Sequence, residues 1–195
     1  MAKIIGLTGG IGSGKSSIMK HIETLGYVTY YTDDAAKKLM ESEALISELM
    51  KRFDKYDILS NGKIDRKKLA AIVFQNPEEL EILNQIVHPA VEKDFLDFVE
   101  ENSEQKMIFK ESAILIESGT YKKCDATILV TAPQNLRVER VMKRDNISRE
   151  EVLHRMKNQM SDKEKAQYAD FIITNIDLEE AYHQTEAILK QFLME

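Results

Sequence analysis

Apolar positions along the chain alternate between short continuous runs and runs at helical spacing. Ile4, Ile5 and Leu7 make a short run that meets a glycine cluster at once, and Ile18, Ile22 and Leu25 then recur at intervals of three and four. The pattern predicts strand, loop, helix. Gly26 is placed to end that helix, since glycine tolerates the left-handed conformation that commonly follows a last turn. Tyr27 to Tyr31 has the β-branched and aromatic content of a second strand. Met107 to Lys110, Ala126 to Thr131 and Phe171 to Thr174 predict further short buried strands. Leu178 to Leu193 predicts a closing amphipathic helix, with Leu178, Ala181, Tyr182, Ile188, Leu189 and Phe192 as its apolar stripe and Asp177 with Glu180 as a capping box. Strands separated by helices imply an α/β fold with a parallel sheet.

Between the second and third strands lie about 75 residues of mostly helical pattern, far more than one crossover requires, so this stretch reads as an insertion. Asn61-Gly62 marks a turn inside it, and Asn76-Pro77-Glu78-Glu79 supplies a cap, a first-turn proline and acidic residues at a helix start. A smaller excursion runs from about Gln134 to Asp162, where Ser148 and Glu151 again suggest a capping box. There is no internal repeat and no low-complexity linker.

Composition narrows the class. The chain has 195 residues, 43% hydrophobic, enough for a substantial core in one domain with excursions. A formal charge of −6 argues against a nucleic-acid partner, which would call for a basic face. The single cysteine, Cys124, excludes an internal disulfide and fits a reducing cytoplasmic setting, where it reads as structural. No apolar stretch approaches the ~20 residues that span a bilayer, and the amino end shows no signal-peptide pattern. The expectation is a cytoplasmic protein, a monomer with an oligomer left open, and neither membrane nor nucleic-acid partners.

The chemistry concentrates in the glycine cluster. Gly9-Gly10-Ile11-Gly12-Ser13-Gly14-Lys15-Ser16 matches G-x-x-x-x-G-K-[ST] between a strand and a helix, as that motif requires. Glycines let successive backbone N–H groups turn inward, and the following helix N-terminus favours negative charge. Lys15 is placed to reach β and γ phosphates, and the Ser16 hydroxyl suits a magnesium ion bridging them. The expected ATP contacts are Gly10, Ile11, Gly12, Ser13, Gly14, Lys15, Ser16 and Ser17, with Ser16 as the metal ligand. A merely tight-packing turn would not explain Lys15 and Ser16 beside the last glycine, and the G-x-G-x-x-G spacing of a dinucleotide site is absent. Neither Asp-x-x-Gly after an apolar run nor Asn-Lys-x-Asp occurs where a switch GTPase would carry them.

Asp33 and Asp34 lie just beyond the second strand, where ligands gather in open parallel sheets. A carboxylate there can orient an acceptor hydroxyl, take its proton or help hold a metal; capping a helix starting at Ala35 is the alternative. The reading divides them, Asp33 functional and Asp34 capping or solvated. Arg137, Arg140 and Arg144 recur at helical spacing and share one face, either as a lid over ATP or as a solvated charged face with Glu139 and Lys143 interleaved.

Together these motifs resemble the dephospho-CoA kinase family across nearly the whole chain. The resemblance is carried by Gly6 to Ser16, Asp33, Gly62-Lys63-Ile64-Asp65-Arg66 with Leu69, His88-Pro89, Ile114-Leu115-Ile116-Glu117, Asp125, Gln134 with Arg137, Arg140 and Arg144-Asp145, Arg155 with Gln159, Ala169-Asp170 and Asn175. It implies a three-layer P-loop NTPase fold with its core at about 1–33, 105–135 and 165–195, a helical CoA-binding insertion at about 34–104 and a short lid at about 136–164. It implies phosphorylation of a ribose 3′-hydroxyl by MgATP, with ATP and dephospho-CoA as small-molecule substrates. Asp33, Lys15 and Arg140 are then the catalytic set; Arg140, Arg144 and Asn175 join the ATP contacts, Asn175 near the adenine; Asp33, Lys37, Arg66, His88 and Glu117 form the substrate set. His88 alone reads as a turn residue before proline.

The sequence also departs from the family pattern. Tyr31-Thr32-Asp33 stands where Asp-Ala-Asp is usual, Lys37 stands for an arginine, and Ser112 to Glu117 replaces Pro-Leu-Leu-Phe-Glu. Another nucleoside or nucleotide kinase, or a regulatory nucleotide-binding module without acceptor chemistry, remains open at this level.

Overall fold

A computed structural model describes residues 2–60 and 62–194. The chain divides into two compact units, one of Met1–Tyr30 with Asn102–Glu195 and one of Tyr31–Glu101.

The first unit is built on a sheet with strand order β2-β5-β1-β6-β7, formed by β1 (Lys3–Thr8), β2 (Val28–Tyr31), β5 (Met107–Glu111), β6 (Ala126–Thr131) and β7 (Phe171–Thr174). β1 pairs in parallel with both β5 and β6, and β6 with β7. Central strands buried on both faces explain the continuous apolar runs: Ile5, Leu7, Ile108, Phe109, Ile128 and Val130 are all fully enclosed. From β1 the chain leaves through α1 (Lys15–Thr24) toward β2, whereas from β6 it leaves through α6 (Gln134–Asp145), α7 (Arg149–Lys157) and α8 (Asp162–Lys165) toward β7. Connections diverging from adjacent strands make a topological switch between β1 and β6, and ligands bind outside the carboxyl ends of strands there. The sequence placed its glycine cluster at that end of β1.

α9 (Leu178–Met194) closes this unit, burying Ala181, Ile188, Leu189 and Phe192; Leu178, expected in the stripe, is 39% exposed because it sits at the helix's first position. Glu180 N–H donates to Asp177 Oδ1 at 3.0 Å, the forward bond of the expected capping box.

The second unit is helical, with α2 (Thr32–Leu39), α3 (Glu43–Arg52), α4 (Arg66–Val73) and α5 (Pro77–Glu101), plus a small antiparallel pair β3 (Leu59–Ser60) and β4 (Lys63–Ile64) that the pattern did not reveal. Its own core gathers Leu45, Leu49, Phe53, Ile58, Leu69, Val73, Ile86, Val87 and Val91. Asn61 of the expected turn lies outside the described residues; Gly62 has φ 76°, as a tight turn requires. Glu78 N–H donates to Asn76 Oδ1 at 3.1 Å, the expected cap of α5. No helix among the described residues is long and apolar enough to cross a membrane.

Candidate active site

The phosphate-loop motif spans the gap between β1 and α1. Gly12 and Gly14 have φ of 79° and 91°, left-handed values that a side chain would strain. Gly14 also faces the Asn175 amide, which a Cβ would strike. Ser13 N–H closes onto Gly10 C=O at 3.0 Å, and Ser17 N–H onto Gly14 C=O at 2.9 Å, so the loop curls directly into the helix. The turn ends at the N-terminus of α1, whose first residues are Lys15 and Ser16, and a helix N-terminus after a glycine-rich turn favours an anion.

Lys15 is ion-paired with Glu111, which ends β5 beside β1 and is 4% exposed. The ammonium is therefore held beside the loop by a buried carboxylate, a partner that sequence reading missed. The available signal was a pair of charged residues, Lys110 and Glu111, closing an apolar strand. The Ser13 hydroxyl is buried with no hydrogen-bond partner among the described residues. Among those residues there is also no cluster of three or more His, Cys, Asp or Glu able to cage a metal. Hard oxygen donors, the exposed Ser16 hydroxyl and the Glu111 carboxylate at the end of β5, are what the site offers; they fit magnesium, which is commonly bound through one or two protein oxygens plus substrate phosphates.

The three arginines of α6 part company. Arg137, 8% exposed, turns inward: its Nε donates to Ile11 C=O at 2.9 Å and its Nη1 to Asp162 Oδ2 at 2.8 Å, the carboxylate that also accepts from Thr131. Arg140 donates to Asn175 C=O at 3.0 Å and Ile176 C=O at 3.2 Å. Arg144 points out and chelates Asp145, with Arg155 sharing that carboxylate at 3.0 Å. The Arg144 guanidinium holds the Asp145 carboxyl below the ordinary carboxylate range. Asn175 is 2% exposed and donates through Nδ2 to Ser13 C=O at 2.9 Å, so its amide braces the back of the loop and links it to Arg140.

Glu117 is engaged by Lys165, a fully buried lysine whose Nζ donates to Glu117 Oε1 at 2.9 Å and to Ala113 C=O at 2.8 Å. The same oxygen accepts from Met160 N–H at 3.1 Å, which leaves Glu117 Oε2 buried and without a partner among the described residues.

The other expected residues belong to the second unit. Asp33 is exposed in the first turn of α2, with Asp34 beside it bonded to Lys37 at 2.7 Å. Because α2 starts at Thr32 rather than Ala35, neither aspartate is its cap; both sit where acidic side chains favour the helix dipole. Arg66 opens α4, 3.9 Å from Glu41, after an Asp65 cap. His88 is exposed in mid-α5, and the expected turn before Pro89 is absent: the helix runs through the proline. Burial of Ile86, Val87 and Val91 on the flanking turns offsets the lost backbone bond.

The family model described as dephospho-CoA kinase matches residues 3–180. Curated relatives of that name include one from Aquifex aeolicus, 39% identical over 195 residues with 97% of each chain covered. Another, from Fusobacterium nucleatum, is 38% identical over 184 residues, covering 94% of this chain and 95% of its own. Among solved structures, a Thermus thermophilus protein matches with TM-score 0.88 at 35% identity, covering 97% of both chains. A dephospho-CoA kinase from Campylobacter jejuni matches with TM-score 0.73 at 28% identity, covering 98% of this chain and 97% of its own. A shikimate kinase from Acinetobacter baumannii, at 16% identity and TM-score 0.53 over 100% of this chain and 94% of its own, shares the fold.

Proposed function

The chain belongs to the dephospho-CoA kinase family, and on that premise we propose that it transfers the γ-phosphoryl group of ATP to the ribose 3′-hydroxyl of dephospho-CoA, giving ADP and coenzyme A. The new bond joins the 3′ oxygen to the γ phosphorus as the bond from that phosphorus to the β-γ bridging oxygen breaks. The hydroxyl proton passes to the Asp33 carboxylate. The observation that carries this reading is the left-handed glycine cradle running into Lys15 and Ser16 at the switch point of the sheet.

Phosphoryl transfer asks little covalent chemistry of a protein, so positioning and charge do most of the work. Lys15 neutralises charge on the β and γ phosphates; to do so it exchanges Glu111 for phosphate oxygens. Arg140 anchors the nucleotide end of the site through its contacts with Asn175 and Ile176, and Arg144 supplies positive charge at the outer end of α6. The Ser16 hydroxyl would hold a magnesium ion delivered with ATP, and that ion would supply positive charge against the phosphates. Lys37, Arg66, His88 and Glu117 form the acceptor-binding set. The protein works in the cytoplasm, a setting that its single cysteine supports.

The test is an acceptor panel under MgATP with ADP release as readout. Dephospho-CoA should be consumed, with adenosine and nucleoside monophosphates slower by orders of magnitude. Equal or faster turnover of a nucleoside monophosphate would replace this reading with a different nucleotide kinase, and no turnover of any acceptor would leave only a binding module.

A further inference from the structure

Ile11, in the phosphate loop, is held at its side chain, its C=O and its N–H by the segment that follows β6. Its side chain packs against the apolar cluster of Val138, Val141 and Val152, all fully buried on α6 and α7. Its C=O accepts from Arg137 Nε at 2.9 Å. Its N–H donates to Gln159 Oε1 at 2.9 Å, across 148 residues of sequence. Gln159 lies just past the end of α7, in a short segment fastened repeatedly to its surroundings. Met160 N–H bonds Glu117, Asp162 bonds Arg137 and Thr131, and Lys165 bonds Glu117 and Ala113.

We propose that Gln159 is a positioning residue for nucleotide binding: by accepting the Ile11 N–H it fixes the outer lip of the phosphate cradle, coupling the α6–α7 pair to the loop. This rests on reading the loop as the ATP site. A backbone that carries several inward N–H groups works as an anion site only if its peptide planes are held, and glycines on either side of Ile11 supply no rigidity of their own. Arg137 and Gln159 grip the two peptide planes that flank Ile11, one by its C=O and the other by its N–H. Arg137 is itself buried and ion-paired with Asp162, whereas Gln159 is neutral and half-buried, so it is the member whose removal leaves the fold least disturbed.

The experiment measures MgADP and MgATP affinity by calorimetry, together with the KM for each substrate, in Gln159→Met and Gln159→Glu. Methionine keeps the length and apolar stem but not the strong acceptor, and glutamate keeps the acceptor. Gln159→Met should weaken nucleotide binding about tenfold, the loss of a typical hydrogen bond's worth of positioning, and leave the KM for dephospho-CoA within twofold. Gln159→Glu should recover most of that affinity. The proposal is overturned by unchanged nucleotide affinity in Gln159→Met, by tighter binding, which would mean that the side chain competes with phosphate for the N–H, or by equal damage to both substrates that glutamate fails to rescue. Wild-type protein that binds MgADP without phosphorylating dephospho-CoA would refute the assigned acceptor and leave the Gln159 measurement intact.

Discussion

At the scale of single residues, the most informative contact is the ion pair of Lys15 and Glu111. Two charges are taken out of water there, so removing one leaves the other uncompensated. Glu111→Leu should cost about 3 kcal/mol in denaturant unfolding, and saturating MgATP should recover part of it by giving Lys15 phosphate oxygens in place of the carboxylate. Lys15→Ala should abolish turnover. Asp33→Asn should cut kcat by orders of magnitude while calorimetric ATP affinity stays near wild type; undiminished kcat would remove Asp33 from the chemistry. Cys124 carries a simpler prediction. Burial, the main influence, pushes its thiol up to about 11, so at pH 8 it should resist alkylation in the folded protein and react promptly once unfolded. Since the folded state disfavours the thiolate, this residue's stability contribution is complete below the ordinary thiol range and is lost as pH rises toward about 11. The loop residues were legible in the sequence because their chemistry is local, with glycine spacing, lysine and serine in one stretch. Glu111, Lys165 and the inward turn of Arg137 were not, since each depends on a partner brought from a distant segment.

At the scale of elements, the strands of the sheet and the closing helix followed from apolar pattern, most directly for the central strands, which are buried on both faces. The misses have separate physical causes. β3 and β4 are too short to show a period, and the helix through His88-Pro89 persists because tertiary burial outweighs a local preference. The helices after β6 were read as a lid with its arginines on one face. The structure turns the first of those arginines, Arg137, inward onto the phosphate loop. The capping box of α7 is complete, Ser148 accepting from Glu151 N–H at 3.2 Å and Glu151 from Ser148 N–H at 2.9 Å. Ser148→Ala should therefore destabilise α7 by about 1 kcal/mol, visible as faster amide exchange confined to that helix. Uniform acceleration across the sheet would contradict so local a role.

At the scale of the molecule, each unit has a core of its own, which explains how an α/β sheet accommodates a long helical insertion without losing its register. Phe53, fully buried at the heart of the helical unit, is the side chain whose loss that unit feels most. Phe53→Ala should cost roughly 3–5 kcal/mol and, in conditions where the chain stays folded, raise the KM for dephospho-CoA more than that for ATP. An equal rise in both would separate the insertion from acceptor binding. The central claim concerns where the phosphoryl group lands. Phosphorus and proton NMR of the product formed from dephospho-CoA and MgATP reads this directly. A single new phosphomonoester coupled to the proton on the ribose 3′ carbon is the expected result, and a phosphate on any other position, or none at all, would contradict it.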